Sequence, residues 1–166
     1  MGETAEHVAE RFSISREDQD SFALWSQTKT ERAKGNGECS AEIAPVQISA
    51  ASSVSADEFP RPLTTRESLA ALKPAFRKNG SVTAGNSSGI NDGACALLIA
   101  SEQMVSTLNL KPLARIVADS VVGVEPKYMG IGPVPATEAV LKRAGMNGDQ
   151  LDVIELNEAF AAQSLA

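Results

Sequence analysis

Gly80-Ser81-Val82-Thr83-Ala84-Gly85-Asn86-Ser87-Ser88-Gly89-Ile90-Asn91-Asp92-Gly93 holds four glycines among small hydroxyl and amide residues. Glycine permits positive φ and lets a backbone approach a ligand closely. Successive free N–H groups in such a turn form a concavity that attracts carbonyl, amide or phosphate oxygens. The apolar run Ala94-Cys95-Ala96-Leu97-Leu98-Ile99-Ala100 follows directly and reads as a buried strand. A polar loop feeding a core strand is a common setting for a binding site. The plainer alternative is a solvent loop that leads into a strand.

Upstream the pattern is helical. Residues 4–11 form a short helix, and Ser15 with Asp18 three positions on gives a capping box for a helix from about Arg16 to Lys34, ending at Gly35. Phe22, Trp25 and Ala33 are its expected apolar positions. Residues 42–48 alternate weakly, and Pro45 makes them an edge strand. Residues 50–56 are a surface loop. Residues 65–72 are a second helix, stopped by Pro74. Downstream, the spacing predicts a helix over 101–108 and a strand over 113–124. A helix starting at Pro135 and stopping at Gly145, with Val140, Leu141 and Ala144 on its apolar face, precedes a strand over 152–156. Asn157-Glu158-Ala159-Phe160 lies at the carboxyl end of that last strand, which in open α/β sheets faces the ligand crevice, and opens a helix. A chain ending six residues into a helix reads as cut.

The 166 residues carry a net charge of -6, with 43% hydrophobic and 22% charged residues, as in ordinary globular proteins. No run of basic residues suggests nucleic-acid binding, and no apolar segment approaches the ~20 residues of a membrane span. The N-terminus lacks a signal-peptide pattern, and Glu6 stands where a myristoylation motif has Ser or Thr. A cytoplasmic location is expected. Cys39 and Cys95 are too few for a metal or disulfide framework; Cys95 reads as a small core residue and Cys39 as a turn residue. Neither has a sequence neighbour that would lower its pKa. The single histidine, His7, sits in a helical pattern and reads as a surface or packing residue.

Val82-Thr83-Ala84-Gly85-Asn86-Ser87-Ser88-Gly89-Ile90-Asn91-Asp92-Gly93-Ala94, Met129-Gly130-Ile131-Gly132-Pro133-Val134-Pro135-Ala136 and Asn157-Glu158-Ala159-Phe160-Ala161-Ala162-Gln163 resemble the thiolase family of acyl-CoA acyltransferases. Met1-Gly2-Glu3-Thr4-Ala5-Glu6-His7-Val8-Ala9 and Leu72-Lys73-Pro74-Ala75-Phe76 match as well, in the family's order. The resemblance implies an α/β fold with a helix-rich loop domain and partial strands and helices of two core halves. Residues 1–91 would be the later part of the loop domain that covers coenzyme A. Residues 92–111 would end the N-terminal core domain, and 112–166 would open the C-terminal one. The implied activity is cleavage or formation of 3-oxoacyl-CoA with coenzyme A through an acyl-cysteine, as in fatty-acid metabolism. Coenzyme A is then a substrate, with no covalently bound cofactor and no metal. A homo-oligomer is expected, with neither nucleic acid nor membrane as partner.

By that resemblance the family's two catalytic cysteines and its histidine match no residue here, so the chain alone is expected to be inactive. Only Asn157 matches the catalytic set; its amide would hold a water that hydrogen-bonds the thioester oxygen. Read without the family, Asn157 is more readily a helix N-cap. Arg61 would face the adenine and phosphate end of coenzyme A, Ser68 the adenine, and Phe76 the pantetheine arm. Ala84 and Ser88 would meet the pantetheine amides, while Met129 and Phe160 would wall the acyl pocket. Arg61, Ser68, Phe76, Phe160 and Met129 have plainer alternatives: a surface arginine, a helix-surface serine, core aromatics and a core methionine. Met1 matches a family methionine near the same pocket. The competing reading of the whole is a non-catalytic module that binds coenzyme A or associates with another chain.

Overall fold

The computed structural model describes residues 1–166. It contains α1 (Gly2–Arg11), α2 (Arg16–Gly35), β1 (Val46–Ser49), β2 (Ser52–Val54), α3 (Arg66–Ala70), α4 (Glu102–Thr107), a 3-10 turn (Pro126–Ile131), α5 (Pro133–Ala144), a second 3-10 turn (Gly148–Gln150) and α6 (Ala161–Leu165). These elements fall into two compact units. The first comprises Met1–Gly89, Glu125–Ile131 and Leu156–Ala166; the second comprises Ile90–Val124 and Gly132–Glu155. No helix is long and apolar enough to cross a membrane.

The first unit holds every buried apolar side chain. They are Ala5, Val8, Ala9, Ala23, Leu69, Val82, Ala161 and Ala162. α1 packs against the Pro126–Ile131 turn and α6, and α2 packs against α3 and α6. The small residues on these faces let the helices approach closely. Helix starts follow their local chemistry. The Ser15 hydroxyl accepts from the Asp18 N–H at 3.0 Å, while the Asp18 carboxylate accepts from the Ser15 N–H at 3.2 Å. Thr65 and Ser68 make the same reciprocal pair at the head of α3.

α2 buries a polar face. Its buried residues are Gln19, Asp20 and Ala23, whereas Trp25, expected on the apolar side, is 55% exposed with the Lys29 ammonium 3.3 Å from its ring centre. The strand expected at 42–48 begins after Pro45, and its partner β2 falls inside the stretch expected to be a surface loop. Both strands are exposed along their length, so no buried face marked the second one.

In the second unit, the expected strands over 94–100 and 113–124, and the expected 152–156 segment that ends in the first unit, do not form. A strand is held by ladder hydrogen bonds to a neighbour, and the backbone groups of these segments have none. Leu97, Leu98, Ile99, Leu113, Val121, Val153 and Ile154 are exposed accordingly. Cys95, expected in the core, is exposed for the same reason. α4 is capped by Ser101, whose hydroxyl accepts from the Met104 N–H at 3.2 Å. α5 starts two residues earlier than expected, at Pro133, where proline costs no hydrogen bond. It ends at Gly145 in the left-handed region, at φ 67°. Val140, Leu141 and Ala144 on its expected apolar face are half-buried.

The first unit carries an acid-sensitive pair of contacts. Arg77 donates from Nη2 to Glu3 at 2.6 Å and also pairs with Glu10. The hydrogen bond from Arg77 holds the Glu3 carboxyl below its ordinary value. The Ser15 hydroxyl, followed by the Ser15 N–H, does the same for Asp18. A lowered carboxyl pKa stabilises the fold above the unfolded value and loses that contribution as pH falls through the folded one. Helical circular dichroism is therefore expected to hold down to roughly pH 4, near the ordinary carboxylate range, and to decline below it. Asp18→Asn should flatten part of that decline.

Candidate functional site

The glycine-rich loop is held from below by buried carboxylates. Glu6, 2% exposed, accepts from the Ser81 N–H at 2.9 Å, the Val82 N–H at 3.0 Å and the Ser81 hydroxyl at 3.1 Å. Gly80 leaves room for this: a Cβ there would overlap the Glu6 carboxylate. Gln19 adds a bond from Nε2 to the Ser81 hydroxyl at 2.9 Å. Asn86 is 3% exposed and folds back on its own loop. Its Oδ1 accepts from the Thr83 N–H at 2.8 Å, and its Nδ2 donates to Ser81 O at 3.1 Å and to Asp20 at 2.9 Å.

The upper edge of the loop is zipped to the segment before α6. The Ser88 N–H donates to Ala159 O and the Ala161 N–H donates to Asn86 O, each at 2.9 Å, with Ser87 and Phe160 paired between them. This pairing corrects the expected helix start. The backbone at 159–161 is committed to the loop, so α6 begins at Ala161 with Phe160 at its cap position. Asn157 is exposed, four residues before the helix, and is not its N-cap. Its side chain is left available for another use.

Asn157 and Ser88 line one cleft of about 250 Å³, together with Phe22, Ser26, Phe59 and Glu158. Glu158 accepts from the Ser26 hydroxyl at 2.5 Å and lies 3.8 Å from the Lys29 ammonium, so α2 fixes the residue next to Asn157. Phe160 meets Phe76 edge-to-face, with ring centres 6.2 Å apart. The Phe76 ring lies over Gly2, where any Cβ would overlap it. Phe76 is 46% exposed and Met129 45%, so neither is a simple core residue.

Arg61 sits at the Phe59 side. Its Nη1 donates to Glu58 O and Phe59 O, each at 2.9 Å, and its guanidinium lies 5.4 Å from the Phe59 ring centre. Its other terminal nitrogen makes no hydrogen bond, and the residue is exposed. The Ser68 hydroxyl is engaged in the α3 cap, bonded to Thr65 N and Thr65 O at 2.9 Å each. Ala84 is exposed at the crest of the loop. Of the residues expected at the site, Asn157 and Ser88 line the cleft, and Arg61 contacts its lining residue Phe59; Phe160, Phe76, Ala84, Ser68 and Met129 do not line it.

The supporting residues Glu6, Gln19, Asp20 and Asn86 were missed from the sequence. The one available signal was the placement of Gln19 and Asp20 on a helix face that also carries Ala23. No group of three or more His, Cys, Asp and Glu side chains is placed to hold a metal ion. His7 is half-buried, with its ring edge-on to Tyr128 at 6.4 Å and Nδ1 3.3 Å from Arg77 Nη2, which makes it a packing residue.

Residues 1–103 match the family description "Thiolase, N-terminal domain" and residues 110–166 match "Thiolase, C-terminal domain". The chain belongs to the thiolase family. Among its relatives is the 3-oxoadipyl-CoA/3-oxo-5,6-dehydrosuberyl-CoA thiolase of Escherichia coli (strain K12), 57% identical over 169 residues, a match that covers 99% of this chain and 42% of the relative. The crystal structure of the Bacillus anthracis acetyl-CoA acetyltransferase superposes with a TM-score of 0.90 at 50% identity, covering 99% of this chain and 43% of that one. Human mitochondrial 3-ketoacyl-CoA thiolase in complex with CoA gives 0.88 at 48% identity, covering 98% and 41%. The fold is therefore a partial thiolase fold. The chain spans about two fifths of the length of the curated relatives it matches.

Proposed function

We propose that this thiolase-family chain supplies part of the coenzyme A-facing surface of an enzyme that cleaves or forms 3-oxoacyl-CoA through an acyl-cysteine. The observation that carries the reading is the pairing of Asn86–Ser88 with Ala159–Ala161, which puts Ser88 and Asn157 on one cleft. In this reading Asn157 offers a neutral amide donor, through a water, to the thioester oxygen. A fixed donor stabilises developing negative charge without reorganising. Ser88 and Ala84 face the pantetheine amides, and Phe76, Phe160 and Met129 form apolar walls. Ser68 reaches the adenine only by giving up a cap bond. The divisions at 1–91, 92–111 and 112–166 belong to the same proposal, as does coenzyme A as substrate rather than bound cofactor.

Arg61 carries the test of the adenine and phosphate end. Its guanidinium is exposed and only half engaged by the carbonyls of its own loop. Arg61→Ala is expected to weaken coenzyme A binding severalfold at low salt, measured by calorimetry. The difference from the unchanged chain should shrink at high salt, since an exposed contact to phosphate is screened. An unchanged affinity at low salt would show that the adenine end lies elsewhere.

A second reading, a module that associates with another chain, is favoured by the exposed apolar side chains of 94–100 and 113–124. Saturable coenzyme A binding at the cleft supports a coenzyme A-facing surface, whether of an enzyme part or of a non-catalytic binding module. Concentration-dependent association without any coenzyme A binding supports the association module alone.

A further inference from the structure

We propose that Asp20 is a positioning residue that locks the loop Thr83–Ser88 to the carboxyl end of α3, so that the two segments carrying Ser88 and Ser68 keep one fixed relation. This rests on the coenzyme A reading for its functional meaning, but the lock itself is geometric. Asp20 is 7% exposed and lies at the second turn of α2. One carboxylate oxygen accepts from Asn86 Nδ2 at 2.9 Å; the other accepts from Arg16 Nε at 2.8 Å. Arg16 then reaches across to α3, donating from Nη2 to Leu69 O at 2.6 Å and to Leu72 O at 3.1 Å. Those carbonyls are at the C-terminal end of α3, where a cation is favoured.

On the other side, Asn86 transmits the hold. With its amide nitrogen fixed by Asp20, its Oδ1 is aimed at the Thr83 N–H, which is fully buried. The Thr83 hydroxyl accepts from the Gly85 N–H at 3.2 Å, and Thr83 O accepts from the Ser87 hydroxyl at 2.7 Å. The turn that presents Ala84 and Ser88 is thus continuous, by hydrogen bonds, with Asp20. The charges balance along the chain of contacts: one guanidinium, one carboxylate, then neutral amides. A buried carboxylate with both oxygens engaged is costly to leave half-paired, so either end of the relay feels the loss of the other.

The relay makes a pattern that simple destabilisation does not. In Asp20→Asn, amide exchange should speed at least tenfold both at Thr83 and Gly85 and at Ala71 and Leu72, whose N–H groups close the end of α3. Ser81 and Val82, held independently by Glu6, should keep their protection, as should α1. Arg16→Gln, a change at a partly exposed side chain near the start of α2, is the second variant should Asp20→Asn not fold. It should loosen Ala71 and Leu72 and, through Asp20, Thr83 as well, and lower coenzyme A affinity about tenfold. Faster exchange confined to one side, or raised equally through α1, overturns the lock. The absence of coenzyme A binding by the unchanged chain overturns the reading of the site, while the exchange pattern still decides the lock.

Discussion

Glu6→Ala is expected to cost the chain about 3 kcal/mol or more, because it orphans two backbone donors on a buried turn. The Glu6 carboxylate accepts from the N–H groups of Ser81 and Val82, and Val82 is fully buried. Water cannot replace the lost acceptor at Val82 without opening the packing of α1 against the loop. A loss of that size is a large share of the 5–15 kcal/mol that holds a typical domain. With a urea slope of about 2 kcal/mol per molar, the midpoint of unfolding should fall by roughly 1.5 M. Gly80→Ala should act in the same direction, since its Cβ would take the space of the Glu6 carboxylate. A Glu6→Ala midpoint within about 0.3 M of the unchanged chain, below roughly 0.6 kcal/mol at that slope, would show that the loop is held by other contacts.

The helices of the first unit were legible because their start signals are local. Ser15 with Asp18 and Thr65 with Ser68 lie three residues apart and cap helices whichever way the rest of the chain packs. The polar face of α2 was not legible. Gln19 and Asp20 are buried by partners that include Ser81 and Asn86, 62 and 66 residues away, and their spacing to Ala23 does not name those partners. The strands over 94–100 and 113–124 were misread for a related reason. An apolar run becomes a strand only when another strand satisfies its backbone, and these runs meet none.

The site was legible in part. The motif around Asn86–Ser88 and the one around Asn157–Phe160 were each visible as sequence, but their pairing was not. That pairing removes the capping alternative for Asn157, since it delays α6 to Ala161. The contact between Phe76 and Phe160 likewise depends on the open space above Gly2, which no local pattern announces.

The second large effect is on turnover, which is expected to be absent from this chain alone. Acyl transfer through a cysteine needs a thiolate at the carbonyl carbon and a base to move its proton. Cys39 and Cys95 are both free, but neither lines the cleft that holds Asn157 and Ser88. His7 is engaged with Glu10, Arg77 and Tyr128 and pairs with neither thiol. What remains is one amide donor at Asn157. A single such donor is worth about 10²–10³ in rate, well short of the ~10⁶ or more by which enzymes typically accelerate reactions. The direct measurement is incubation of the chain with acetoacetyl-CoA and free coenzyme A, followed by intact mass and analysis of the released thioesters. No acetylated protein and no acetyl-CoA above the uncatalysed background are expected. An acetyl adduct on Cys39 or Cys95 that forms and is discharged by coenzyme A would contradict the account, because the chain would then supply its own nucleophile.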